Sequence, residues 1–270
     1  SELHYDRTPD FSGAKLVNAD AQDDVVEIWN LVFIQFNRGT DSKLTPLPAK
    51  HVDTGMGFER IVSVLQDTAG STYDTDLFRP ILDQVAALSP LEGLESYDSV
   101  GATGDDADRI RVALRVIADH VRTIAFAIAD GVMPGNTGRG YVIRRILRRA
   151  VRYGYQTLGL QEPFMYKAAG TVVDMMGTMF PELERGRDYL IRVTKAEEES
   201  FLETLGTGLA FFERLLPFVQ AGADADVAAL KADGKAMDLL SKAYPDLDKA
   251  EQLKRFAVAT AERNLPGEVA

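Results

Sequence analysis

The hydrophobic pattern of this chain changes its period near Arg79, and that change limits the folds open to it. Between Val25 and Phe36, apolar and aromatic residues follow one another closely, with polar residues interleaved. Beyond Arg79 the apolar residues recur at the three- and four-residue spacing of helices. This order predicts an α+β fold in which an antiparallel sheet is followed by an all-helical domain.

The strand-forming part resolves into a few elements. Residues 29–37 predict a strand, which we expect to be buried with its polar side chains facing a cavity. A turn at 39–42 leads to a second strand near 44–53, and its prolines predict an irregular or edge strand. A helix is predicted over 58–66.

The remaining sequence predicts helices over 109–130, 140–158, 164–179 and 182–216, with Gly131 ending the first of them. Residues 220–265 are rich in alanine and predict two shorter helices, separated at Tyr244-Pro245. We therefore predict three regions: the end of a sheet-containing core over 1–88, a helical domain over 89–219, and a helical insertion with a chain end over 220–270.

Composition removes several classes of function. The chain has no cysteine and three histidines, so a disulfide framework is excluded and a metal bound by the protein is not expected. The apolar runs are too short to span a bilayer and the N-terminus does not resemble a signal peptide, so we expect a cytoplasmic protein with no membrane partner. A net charge of -11 argues against a simple nucleic-acid binder, apart from one local exception.

The first group of residues with chemical potential surrounds a glycine turn between a strand and a helix. Gly55 and Gly57 let the backbone approach a ligand closely, at a point where a helix N-terminus offers free N–H groups to an anion. Arg60, on the first helical turn, can direct a planar set of donors at a phosphate. Asp53, just before the turn, can hold an ammonium group. The alternative is that the two glycines only form a turn.

The second group is a basic helix, the local exception to the acidic composition. Residues 136–152 contain six arginines and no acidic residue. They are Arg139, Arg144, Arg145, Arg148, Arg149 and Arg152. The helical spacing gathers most of them on one side, opposite an apolar side. Two interpretations stay open: a solvated or internally paired face, with 105–106 or the acidic run 197–199 as partners, and a face that binds RNA.

Longer strings resemble the alanyl-tRNA synthetase family. Gly55-Met56-Gly57-Phe58-Glu59-Arg60 resembles motif 3 of class II aminoacyl-tRNA synthetases. The wider strings at 1–6, 27–38, 46–48, 52–57 and 73–78 are similar to the alanyl enzymes in particular. The strings 115–122 and 139–141 resemble the tRNA-recognition region of that family. The likeness covers roughly residues 1–215 and 265–270.

The resemblance implies roles for individual residues. Arg60 is implied to contact the phosphates of ATP, which arrives with Mg²⁺, and Asp53 to bind the ammonium group of alanine. Asn30 and Val32 are implied to line the amino-acid pocket, and Gly55 to limit the room near the substrate methyl group. A pocket of this kind rejects serine or glycine weakly, since a methylene or hydroxyl is worth only about 1–3 kcal/mol.

The resemblance also implies an RNA partner, the acceptor stem of tRNA(Ala). Asn136 is implied to read its G·U wobble pair, and Arg139, Arg144, Arg145, Arg148 and Arg149 to hold flanking phosphates. The expected activity is that of an alanine–tRNA ligase: alanine and ATP form alanyl-adenylate, and alanine then passes to the tRNA. Motifs 1 and 2 and the editing domain are expected to lie outside this chain, so the chain alone is expected to be nearly inactive. The alternative is a non-catalytic module that binds the acceptor stem.

Overall fold

The computed structural model describes residues 1–17, 24–68, 71–101 and 104–221, together with Gly234. The chain divides into two compact units, Ser1–Lys195 and Ala196–Ala270. Within the described residues, the first unit holds the sheet, the first six α-helices and the start of the seventh, and the second holds the rest of that helix. The helices predicted within 220–265 lie outside the described residues.

A three-stranded antiparallel sheet forms the beginning of the chain. Its strands are β1 (Glu2–Asp6), β2 (Val25–Arg38) and β3 (Leu44–Met56), with β2 in the centre. The prediction of an irregular edge for the proline-containing strand is confirmed, because β3 is an edge and its register shifts between the partners of Ile34 and Phe36. Pro46 lies opposite Phe36, immediately beyond that irregularity.

The prediction of a buried strand over residues 29–37 is wrong. Val25 at the start of β2 is buried, whereas Val32 is 48% exposed and Phe33 is 58% exposed. Because successive side chains of a strand point to opposite faces, both faces of the sheet are open at this point. The apolar residues of β2 predict that this strand packs against another surface. The sequence pattern does not show which residues supply that surface.

Every element described after Met56 is helical. The α-helices are α1 (Phe58–Leu65), α2 (Arg79–Leu88), α3 (Asp105–Ala129), α4 (Gly138–Thr157), α5 (Met165–Met176), α6 (Pro181–Arg185) and α7 (Arg187–Ala221). Single 3-10 turns lie at Gly13–Leu16, Thr72–Asp74 and Tyr97–Ser99. The sheet and the helices together confirm the α+β class.

One predicted helix is divided in two. The pattern over 182–216 predicts a continuous helix, but the structure has α6 and α7 with Gly186 between them. The amide of Gly186 closes α6 by donating to the carbonyl of Glu182, and its own carbonyl accepts from Leu190 in α7. Glycine is a weak helix former, so a change of direction is least costly at this residue.

Helix α3 is the centre of the helical core. It packs against α2, α4, α5 and α6. Its buried residues recur at helical spacing and are Ala113, Leu114, Ile117, Ala118, Val121, Ile124, Ala125 and Ile128. The neighbours contribute buried side chains such as Leu82, Leu147 and Val172. Within the described part of the chain, no helix is both long enough and apolar enough to cross a membrane.

Candidate functional site

Four of the residues singled out in the sequence lie on one face of the sheet. The register of β2 and β3 places Asn30 opposite Gly55 and Val32 opposite Asp53. Directly opposed residues of an antiparallel pair point to the same face, as do residues two apart on one strand. This face is open, with Val32 48% exposed. At Gly55 an added Cβ would meet no atom of the described residues within 4 Å, so this part of the chain leaves the space above that strand open.

A carboxylate on the edge strand orients Asn30. Glu2 lies opposite Asn30 in the β1–β2 register, and its Oε1 accepts a hydrogen bond of 3.2 Å from Asn30 Nδ2. The other carboxylate oxygen lies 3.0 Å from Nε2 of His4. Because a carboxylate only accepts, the amide must turn its NH₂ group toward Glu2 and its Oδ1 away. No local pattern gives Glu2 this role, since its contact with Asn30 depends on strand pairing across 28 residues.

Arg60 lies on the first turn of α1, which begins directly after β3. Its stem folds back over Gly57, where an added Cβ would lie 3.0 Å from the Arg60 Cδ. Its Nη1 donates to the backbone carbonyl of Glu27 at 2.7 Å and lies 4.0 Å from the Glu27 carboxylate. The side chain remains 50% exposed. The guanidinium therefore rests near β2, three residues before Asn30, and keeps donors open to solvent.

An internal ion pair connects α1 to α3. Arg122 Nη2 donates to Glu59 Oε1 at 2.8 Å, and its guanidinium lies 4.4 Å from the centre of the Phe78 ring. The Arg122 side chain is only 16% exposed. Glu59 lies in the first turn of α1, where a negative charge is favourable. The structure gives it a partner 63 residues away, on the helix at the centre of the core.

The structure gives His120 a local hydrogen-bonding partner. Its Nδ1 lies 3.0 Å from Oδ2 of the neighbouring Asp119. This hydrogen bond, reinforced by the positive charges of Arg122 and Arg149, holds the pKa of the Asp119 carboxyl below its usual value. Asp119 and Arg122 line a cavity of about 230 Å³ together with Glu59, Thr123 and Phe126.

The connection between α3 and α4 carries Asn136 on a tightly folded loop. The amide of Gly135 donates to the carbonyl of Gly140 at 3.0 Å, and a Cβ added at Gly140 would lie 2.3 Å from the Met133 carbonyl oxygen. Only glycine permits this approach between the loop and the first turn of α4. Asn136 is exposed, and its Oδ1 accepts a hydrogen bond from Nη1 of Arg144.

The arginines of α4 divide into two groups by exposure. Arg139, Arg145, Arg149 and Arg152 are exposed, whereas Arg144 and Arg148 are half-buried with their Nε atoms out of contact with solvent. The Arg145 guanidinium lies 5.7 Å from the ring centre of Tyr141, which is 46% exposed. The exposed surface of α4 is therefore basic and carries an accessible aromatic ring. Arg144 and Arg148 lie on its flank.

Replacing Gly140 by alanine should destabilise the chain. The new methyl group would overlap the Met133 carbonyl, and forced overpacking of this kind costs about 1–3 kcal/mol. Chemical denaturation of the 270-residue chain would measure the change. Gly170→Ala in α5 is the matched control, because a Cβ there meets no atom within 4 Å and alanine favours helix by about 0.5–1 kcal/mol. A Gly140→Ala variant as stable as Gly170→Ala would contradict the close approach.

Comparison with known proteins identifies the class of protein to which this chain belongs. Residues 1–230 match the family described as class II (A) tRNA synthetases. The chain belongs to this family. The match includes the sheet, the glycine turn with Arg60, and helix α4.

Relatives within the family are alanine–tRNA ligases. The enzyme from Salinibacter ruber is 52% identical over 284 aligned positions, which cover 100% of this chain and 29% of that relative. The enzyme from Chlorobium phaeovibrioides is 52% identical over 80% of this chain and 23% of its own length. That from Chlorobaculum tepidum is 48% identical over 86% of this chain and 25% of its own length. The chain thus spans between a quarter and a third of the length of the Salinibacter relative, and about a quarter of the other two.

Proposed function

We propose that this chain is the motif 3 and acceptor-stem part of an alanine–tRNA ligase, which joins alanine to ATP and transfers it to tRNA(Ala). One observation carries the proposal. Asn30, Val32, Asp53 and Gly55 share an open sheet face, and β3 runs from that face directly into the glycine turn that bears Arg60. We further propose that residues 1–88 supply the end of the catalytic core, that the all-helical region 89–219 holds the acceptor stem, and that 220–270 form an insertion and a chain end.

The open sheet face suits a small amino acid. Asp53 supplies a carboxylate for the ammonium group of alanine, and the Oδ1 of Asn30, turned away from Glu2, supplies a neutral acceptor for the same group. Val32 provides an apolar wall of the size that a methyl side chain requires. Gly55 lies opposite Asn30 and limits the room near the substrate methyl group.

Arg60 suits the nucleotide phosphates. Its guanidinium is half-exposed, is held at one nitrogen by the Glu27 carbonyl, and carries its charge beside the N-terminus of α1. Within the described residues, no group of three or more histidine and acidic side chains is arranged to hold a metal ion. Mg²⁺ is proposed to arrive with ATP, since magnesium is held largely by substrate phosphates and water, with one or two carboxylates.

The exposed face of α4 suits the acceptor stem. Arg139, Arg145 and Arg149 are exposed on one helix of a chain whose net charge is -11, so α4 concentrates positive charge where a polyanion can reach it. Arg144 and Arg148 border the same surface. An RNA stem presents its phosphates and its shallow minor groove together, which lets arginines position the stem while Asn136 approaches base edges.

The alanine site is tested by replacing Asp53 with asparagine in the full-length protein that contains this chain. Removing one charge-assisted hydrogen bond costs about 1.5–3 kcal/mol, so the KM for alanine should rise about 10- to 100-fold. The KM for ATP should stay near its original value. Alanine-dependent exchange of pyrophosphate into ATP measures both constants.

Asp41→Asn is the matched control for that experiment. Asp41 is 57% exposed and pairs with Lys43 in the turn between β2 and β3, so the same loss of charge occurs at the other end of the hairpin. An alanine KM unchanged by Asp53→Asn would overturn the amino-acid site. A full-length protein without exchange activity but with salt-dependent binding to the acceptor stem would instead establish the non-catalytic module.

A further inference from the structure

The environment of Asn136 differs from that of the arginines around it. Asn136 is exposed on the loop before α4, and Arg144 lies two helical turns further along. The two side chains meet through the hydrogen bond from Arg144 Nη1 to Asn136 Oδ1. The folded loop, held by the contact between Gly135 and Gly140, brings Asn136 back alongside the helix.

This hydrogen bond fixes the direction of the amide. A guanidinium has donors and no acceptor, so an asparagine facing it must offer its oxygen. The NH₂ group of Asn136 then points away from Arg144, on an exposed residue. The arrangement is the opposite of that at Asn30, where a carboxylate draws the NH₂ group and turns the oxygen outward. In each case the charge of the neighbour decides which end of the amide faces outward.

Burial separates Arg144 from the arginines beside it. The Nε of Arg144 is buried and the residue is half-buried, whereas Arg145 and Arg149 are exposed. A side chain confined in this way and bonded to Asn136 is suited to hold a neighbour in place. The exposed side chains are suited to meet phosphates directly.

We propose that Arg144 is a positioning residue for base recognition: it presents the NH₂ group of Asn136 to a hydrogen-bond acceptor in the minor groove of the acceptor stem. The minor groove of an RNA helix displays such acceptors as base-edge nitrogens and oxygens and as 2′-hydroxyls. The inference rests on the proposed function, because it assumes that the basic surface of α4 binds that stem. It assigns selectivity to Arg144 and attraction to Arg145 and Arg149.

The test measures binding of two hairpin RNAs to the full-length protein by fluorescence anisotropy over a range of salt concentrations. One hairpin carries the acceptor stem of tRNA(Ala), and the other carries a scrambled stem of equal length. Arg144→Gln should reduce the preference for the first hairpin by about tenfold, the effect of losing one hydrogen bond. The slope of log K against log salt should remain nearly unchanged.

Arg145→Gln is the matched control. It removes one charge from an adjacent exposed position. The slope of log K against log salt should therefore become shallower by about one unit, the value of one phosphate contact, while the preference between the hairpins is kept. If Arg144→Gln behaves like Arg145→Gln, the positioning role is overturned. Asn136→Asp gives a second test that does not depend on how Arg144 variants fold. It keeps the shape and the partner for Arg144 but removes the NH₂ donors.

Asn136→Asp should lose the preference as fully as Asn136→Ala does, because only a donor can meet an acceptor on the RNA. Retained preference in Asn136→Asp would overturn the inference, since the aspartate has only acceptors to offer. A wild-type protein that binds neither hairpin in a salt-dependent manner would overturn the proposed function itself. The two failures are therefore distinct.

Discussion

Replacing Arg60 by alanine should lower kcat/KM for ATP in pyrophosphate exchange by about 10²–10³-fold, the effect of removing a preorganised group that stabilises developing charge. The guanidinium is held by the Glu27 carbonyl and by its own stem over Gly57, so little reorganisation precedes phosphate binding. Arg60→Lys should recover part of the loss, because an ammonium retains the charge and lacks the planar set of donors. The full-length protein is the material for this measurement.

Arg38→Ala controls for the loss of one positive charge at an exposed position elsewhere in the sheet-containing region. Arg38 is exposed at the far end of β2, away from the glycine turn. The Arg38→Ala variant should keep kcat/KM for ATP within about twofold of the unmodified protein, as expected for surface substitutions. Equal ATP dependence in Arg60→Ala and the unmodified protein would remove the ligase site from this sheet. The proposal for RNA binding by α4 would then stand alone.

Replacing Arg122 by methionine should destabilise the chain by about 1–3 kcal/mol, the cost of leaving a partly buried charged partner without its hydrogen bond. Arg122 is 16% exposed and holds Glu59 at 2.8 Å, so its loss frees α1 from α3. Chemical denaturation of the 270-residue chain measures the effect. Hydrogen exchange should increase more in α1 than in the centre of α3, because α1 loses its ion pair with α3.

A second arginine of α3 provides the control for this substitution. Arg109 pairs with Asp106 at 4.0 Å, and the two side chains are 77% and 95% exposed. Arg109→Met should change the free energy of unfolding by less than about 0.5 kcal/mol, since exposed ion pairs contribute little. In a double-mutant cycle, Glu59→Gln combined with Arg122→Met should cost less than the sum of the two single changes. Strict additivity would show that the pair does not connect the two helices.

The sequence alone specified most of the local structure of this protein. The β-formers of β2, the prolines of β3, the glycine turn before α1 and the apolar spacing of α3 each predicted an element that the structure contains. Asn30 and Val32, which the family resemblance implied in one pocket, lie two residues apart on β2 and therefore share one face of that strand. These predictions succeed because backbone hydrogen bonding and side-chain periodicity depend on residues a few positions apart.

Contacts between residues far apart in the sequence were decided by the tertiary structure. Only strand pairing placed Asp53 opposite Val32 and Glu2 beside Asn30. Only the tertiary fold gave Glu59 its partner Arg122, 63 residues away. The periodicity of α4 gathered its arginines, whereas burial separated Arg144 from Arg145. Partners distant in sequence and the side of a helix that becomes covered are set by how elements pack together, and a linear pattern contains no measure of that packing.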